Sequence, residues 1–442
     1  MGSLSAAGDA ADAYPRLVIL ICDRSPMFSR TPIDPSLLRG VTQRRLGRRD
    51  ALRLGGLSAL GAALAACGVQ GKGTPAASVD AGTLATFWQD KKQNGKVDFA
   101  NWPLYMDPGH PELKKFTAKT GIQVNYQEVI QEMGPWFAKV QPQLSAKQSI
   151  GYDLMVITNG IQFGQFRAAG FLAPLDHARL PNFTANVGPK YTGETFDPAN
   201  VFSVPWTSGI TGIAYDPAKT GREITSIADL WDPKFKGKVG MMSDATELAN
   251  FGLLAAGLKP ENSGEADWKK AAAKLKQQKD AGIVRKYYEQ DYVDALGKGE
   301  VWITQAWSGD IFQKNLSDST NLKFVIPEEG GTIWTDNFAI PVTAPNPVDA
   351  ITLIDFFYEV ENAASLAGYI NYVCPVPGAQ AQLKKDAAAL TGSDRTELEA
   401  VANSALVFPS EADYARLHYY VDFNTAEQQQ TFSSIFEQIV LG

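Results

Sequence analysis

The stretch Glu328–Pro341 reads EEGGTIWTDNFAIP. As a strand, its period of two places Trp334, Asp336, Phe338 and Ile340 on one face. A carboxylate in line with three large apolar groups is costly unless something cationic meets it. That partner is either a lysine or arginine of the chain or something the chain binds.

Outward from this stretch the chain alternates. Strand-like runs fall at Val97–Asn101, Ile122–Val129, Tyr152–Thr158, Gly212–Tyr215, Val239–Met242, Val301–Ala306, Leu322–Ile326 and Ile333–Ile340. Helical spacing covers Pro108–Lys119, closed by Gly121, and then Asp244–Gly257, Ala266–Lys279 and Pro347–Val360. Strands separated by helices predict α/β architecture with largely parallel sheets. No Pro/Gly/Ser-rich linker divides residues 96–442. The body is therefore one large domain, or two whose lobes are each discontinuous in sequence.

The chain has 442 residues, 45% hydrophobic and 20% charged, the balance of a soluble globular protein. Residues 44–67 read RRLGRRDALRLGGLSALGAALAAC, a basic region and a short apolar run ending at Leu64-Ala65-Ala66-Cys67. This order predicts an export signal over residues 1–66. Arg48-Arg49 resembles a twin-arginine signal, with Gly47 and Ala51 departing from the usual residues. Leu-Ala-Ala-Cys resembles a bacterial lipobox, which makes Cys67 the lipidation site. The long stretch before the basic region points to Met27 as the start. Residues 67–95 read as a flexible tether. Residues 1–66 hold nine Arg and five Asp, so their removal leaves 32 basic against 43 acidic residues, a net −11. That balance argues against nucleic acid and favours a cationic partner.

Enzyme readings find little support. His110, His177 and His418 lack metal-ligand or triad spacing, and Gly-x-Ser-x-Gly and nucleotide loops are absent. Cys374 is the one cysteine of the body and reads as a buried structural thiol. No cofactor and no metal is expected. Asp244 and Glu247, in MMSDATELANFG, form the Asp-x-x-Glu of a capping box, yet a strand-to-helix turn also exposes its end to the cleft of an α/β domain. Asp310, beside Trp307 in QAWSGDIF, is an N-cap or a cleft carboxylate. Tyr372 precedes a proline-rich bend in INYVCPVPG.

Asn101-Trp102-x-x-Tyr105, YDLMVIT, DLWDPKFKGKVG, SDATE, Trp307-Ser308-Gly309-Asp310, EGGTIWTDNFAIP and INYVCPVPG, in this order, resemble the spermidine/putrescine-binding family of solute-binding proteins of bacterial ABC importers. The resemblance covers most of Lys96–Gly442. It implies a two-lobed periplasmic-binding-protein-like fold of type II, with discontinuous lobes joined by crossing hinge strands. Residues 96–210 and 335–380 would form lobe 1, and 211–334 and 381–442 lobe 2, with crossovers near Pro205–Thr211 and Trp334–Asp336. It also implies that Trp102, Tyr105, Trp307, Trp334 and Tyr372 line the cleft, with Thr158 contributing a hydroxyl. Glu247, Asp336 and Asp244 would receive ammonium groups, and Asp310 matches the putrescine-type turn. Pro103 and Gly160 depart from the family pattern, and the family's C-terminal glutamine contact has no clear counterpart.

The implied ligand suits these residues. A polyamine is a methylene chain with an ammonium at each end, and aromatic faces pack the one and attract the other, at about 0.5–2 kcal/mol per desolvated contact. The expectation is an exported, lipid-anchored, monomeric receptor without enzymatic activity that delivers polyamines to an ABC permease. The alternatives are a receptor for another small cation or amino-acid derivative, and a secreted carbohydrate-active enzyme with two carboxylates across a sugar.

Overall fold

A computed structural model describes residues 81–441, apart from 104, 132, 319, 422 and 424. The expected leader 1–66, Met27, the lipidation site Cys67 and the tether up to residue 80 lie outside the described residues. No helix among those described is long and apolar enough to cross a membrane.

Among the described residues there are ten strands: β1 (Lys96–Asn101), β2 (Gln123–Glu128), β3 (Leu154–Thr158), β4 (Val204–Tyr215), β5 (Val239–Met242), β6 (Val284–Tyr288), β7 (Ile303–Trp307), β8 (Lys323–Val325), β9 (Gly331–Ala339) and β10 (Leu417–Tyr419). Eight stand at the expected runs, and two, β6 and β10, are not among those singled out in the sequence. They make one sheet in the order β2-β1-β3-β9-β4-β7-β5-β6, with β10 added to β9 and β8 to β4. The two outer thirds are parallel, as expected for strands linked by helices. The centre is not. β9 runs antiparallel to β3 and β4, and β4 antiparallel to β7. β4 carries the chain from one half of the sheet to the other and β9 brings it back, so the two must oppose each other. The largely parallel sheet expected from the sequence is thus corrected at its middle.

Burial divides along the same line. One apolar core gathers residues from 88 to 206 and again from 338 to 407, around Phe99, Phe116, Trp206 and Phe338. A second gathers residues from 213 to 303 and from 421 to 439, around Phe251, Trp268 and Phe432. β4 and β9 run between the two.

Two expected boundaries are corrected by packing. Helices Gly378–Ala388 and Gly392–Ala402 put Leu383, Ala387, Leu398 and Val401 into the first core, although 381–442 was assigned to the second lobe. Only the segment from Val421 onward joins the second core. The tether also ends early. Helix Ala81–Trp88 buries Trp88 in the first core, with its indole N–H on the Pro174 carbonyl at 2.8 Å. Asp349 then holds the backbone N–H groups of Asn94 and Gly95. The expected helix Pro347–Val360 ends at Phe357, and Val360 opens the next helix, Val360–Ile370. Cys374 is a free, buried thiol, and burial pushes its pKa up to about 12.

Candidate ligand-binding site

Three acidic side chains converge where β4 and β9 cross. Asp336 lies at the middle of β9, fully buried. Its register partners are Thr158 on β3 and Thr207 on β4. Its carboxylate accepts the Tyr105 hydroxyl and the Thr158 hydroxyl, each at 2.5 Å. Tyr105 follows β1, which ends at Asn101 and is separated from β9 by β3 alone. Trp102, in the same turn, packs into the first core and donates its indole N–H to the Val156 carbonyl at 3.0 Å.

Glu247 is supplied by helix Ala245–Ala255. Asp244 caps that helix, accepting the N–H groups of Thr246 and Glu247 at 2.9 Å each, and stays exposed at its start. Only half of the expected capping box forms, because the Glu247 side chain turns inward instead of back to the cap. Its Oε1 accepts the Trp307 indole N–H and the Tyr420 hydroxyl at 2.6 Å each, and the Thr211 hydroxyl at 2.9 Å. Its Oε2 is buried with no hydrogen-bond partner. Burial raises the Glu247 pKa to about 7, and the bonds from Tyr420 and Trp307 pull it the other way. Among the described residues, no lysine, arginine or histidine contributes.

Asp310 sits inside the first turn of helix Ser308–Asp318 and is not its N-cap. It accepts the Tyr292 hydroxyl at 2.6 Å, the Tyr372 hydroxyl at 3.1 Å and the Gln290 amide at 3.4 Å. Tyr372 is placed by Val373, which exchanges backbone hydrogen bonds with Ser208 on β4.

The aromatic residues link these acids. Trp307 and Trp334 are 6.4 Å apart, Trp334 and Tyr372 5.6 Å, and Tyr372 and Tyr105 6.4 Å, all edge-on or tilted. The four rings form a row. Trp307 at one end is bonded to Glu247, Tyr105 at the other to Asp336, and Tyr372 between them to Asp310. Of the residues singled out in the sequence, this network joins Tyr105, Thr158, Glu247, Trp307, Asp310, Trp334, Asp336 and Tyr372. Trp102 and Asp244 stand at its margins. Sequence reasoning missed Thr211, Gln290, Tyr292 and Tyr420. Tyr420 follows β10, whose alternating LHY offered a strand signal but no chemical one.

Polar contacts between the two halves flank the row. The Gln165 amide donates to the Gln429 amide oxygen at 3.0 Å, joining helix Ile161–Ala168 to helix Ala426–Leu441. Gln313 donates to the Ile370 carbonyl at 3.3 Å. Among the described residues, no group of three or more His, Cys, Asp or Glu side chains could hold a metal ion.

Two α/β bodies on one sheet, with an acidic and aromatic site at the crossing strands, define a two-lobed binding-protein fold. Residues 113–391 match the family model of the bacterial extracellular solute-binding proteins. The spermidine/putrescine-binding periplasmic protein of Salmonella typhimurium (strain LT2) is 31% identical over 300 residues, covering 67% of this chain and 82% of that one. The putrescine-binding periplasmic protein SpuD of Pseudomonas aeruginosa is 28% identical over 379 residues, 82% of this chain and 96% of its own. The crystal structure of the spermidine/putrescine ABC transporter substrate-binding protein PotD from Streptococcus pneumoniae shares the fold, with a TM-score of 0.66 at 24% identity, over 79% of this chain and 99% of that one. The chain belongs to the bacterial extracellular solute-binding proteins, a non-enzymatic family, in its spermidine/putrescine-binding branch.

Proposed function

We propose that this chain is an extracytoplasmic receptor that captures a polyamine between its two lobes and hands it to an ABC permease, anchored by lipid at Cys67. The observation that carries the reading is the row of four rings with a carboxylate at each end. Glu247 at one end keeps an oxygen unpartnered and has no cation beside it among the described residues. Enclosing such a group is costly unless a ligand supplies the positive charge. Hydroxyl and indole donors hold Glu247 in place without neutralising it, so an ammonium can complete that site.

In this reading Trp307, Trp334, Tyr372 and Tyr105 pack the methylenes, while Glu247, Asp310 and Asp336 receive ammonium groups. Tyr420, Thr211, Thr158 and Tyr292 act as positioning residues. Trp102 and Asp244 close the ends. The ligand class is supported by the relatives, which are a spermidine/putrescine-binding and a putrescine-binding periplasmic protein.

Calorimetry of the full chain with spermidine, spermine, putrescine and a panel of sugars tests the proposal. Binding of at least one polyamine and of no sugar is the expected result. Heat with a sugar and none with any polyamine overturns it.

A further inference from the structure

Two glycines lie directly under the ring row. Gly209 on β4 is the register partner of Trp334 on β9. The indole crosses onto β4 and rests where a Gly209 side chain would stand. A Cβ there would lie 2.0 Å from Trp334 Cζ2, 2.4 Å from Cε2 and 2.6 Å from Cη2. Gly309, in the first turn of helix Ser308–Asp318, stands under the other ring. A Cβ there would lie 2.6–2.7 Å from the Cζ, Cε1 and Cε2 atoms of Tyr372.

Neither glycine is required by backbone conformation. Both are missing from the residues with positive φ, so an L-residue fits the main chain at either position. What excludes a side chain is the ring above it. Carbon atoms settle at about 3.5–4.0 Å, so a methyl at 209 would force the indole outward by at least about 1.5 Å, and one at 309 would move the phenol by about 1 Å. The glycine backbone closes one side of each ring, so the ring can yield only away from it. Displacing the phenol also breaks its 3.1 Å bond to Asp310.

We infer that Gly209 and Gly309 set the bore of the binding site, and that this bore admits an unbranched aliphatic amine while excluding a branched one. This rests on the polyamine reading and adds to it a steric filter made by two missing side chains.

The test compares 1,4-diaminobutane with its 2-methyl derivative, titrated into the full chain by calorimetry. The wild type should prefer the linear amine at least tenfold. Gly209→Ala and Gly309→Ala should each weaken the linear amine at least tenfold, and the branched one by a further fivefold or more. Trp334→Leu adds no bulk, so it is readable even if Gly209→Ala fails to fold. It should move the linear-to-branched ratio the opposite way. Wild-type affinities in both alanine variants, or equal losses for the two amines, overturn the inference while leaving the polyamine reading intact. No binding of any polyamine by the wild type overturns that reading and the filter with it.

Discussion

Glu247 shows how one side chain couples ligand capture to protons. Its pKa is about 7 when folded, against an ordinary 4.5, because burial penalises the charged form. Between those values the folded chain holds a proton that the unfolded chain has lost. Its contribution therefore stabilises the unliganded protein at low pH and is lost as pH rises from 4.5 to 7. The difference is about 3 kcal/mol at most. Thermal unfolding without ligand should show the melting temperature falling over this window, and Glu247→Gln should remove that part of the fall. An ammonium binds the charged form, so binding near pH 6 should release a proton. Calorimetry in buffers of different ionisation enthalpy reads that release, and affinity should drop by up to about a hundredfold between pH 8 and pH 5. Asp336 gives a second check. Asp336→Asn keeps the size and an acceptor for one of the Tyr105 and Thr158 hydroxyls, which donate to different oxygens, while the other hydroxyl must turn to accept from the amide; the charge is removed. It should weaken polyamine binding at least tenfold with the unliganded melting temperature nearly unchanged; a variant that merely unfolds would make Asp336 a structural residue.

At the scale of elements, legibility followed periodicity. β2 appeared in the sequence because its alternation is local, β3 because it is a compact apolar run, and the helix that ends at Gly121 with φ 77° because of its spacing and its terminal glycine. β4 is twelve residues long, yet only its last four stood out, since every position in it is buried and alternation vanishes. The helix Ala81–Trp88 was read as tether because its small residues carry little pattern, and only Trp88 fixes it. Trp88→Ala should therefore cost about 3–5 kcal/mol, visible as a lower denaturation midpoint. The candidate site was legible where a carboxylate stood beside aromatics, as at Asp336 and Asp310. Tyr420 and Thr211 were not, since a tyrosine near a strand and a threonine within one carry no chemical signal until the fold brings Glu247 to them.

For the molecule as a whole, polar contacts join the two halves beside the ring row. Gln165–Gln429 and Gln313–Ile370 join segments anchored in different regions of the fold. A neutral hydrogen bond is worth about 1 kcal/mol net, or roughly fivefold in an opening equilibrium. Gln165→Ala should thus raise the ligand dissociation rate a few-fold in stopped-flow measurements. Gln429→Ala should raise it further, because the Gln429 amide also donates to the Ile161 carbonyl at 3.4 Å.

The two cores also impose an order on the birth of the molecule. The first joins residues 88–206 to 338–407, and the second joins 213–303 to 421–439. Neither can be completed by an amino-terminal fragment. At a synthesis rate of about 5–20 residues per second, the segment ending at Trp206 waits roughly 10–40 s for Val407 to leave the ribosome. The nascent chain passes that interval with apolar surface uncovered. That makes it dependent on a chaperone, or on export before folding, to a degree that a protein built from consecutive domains is not.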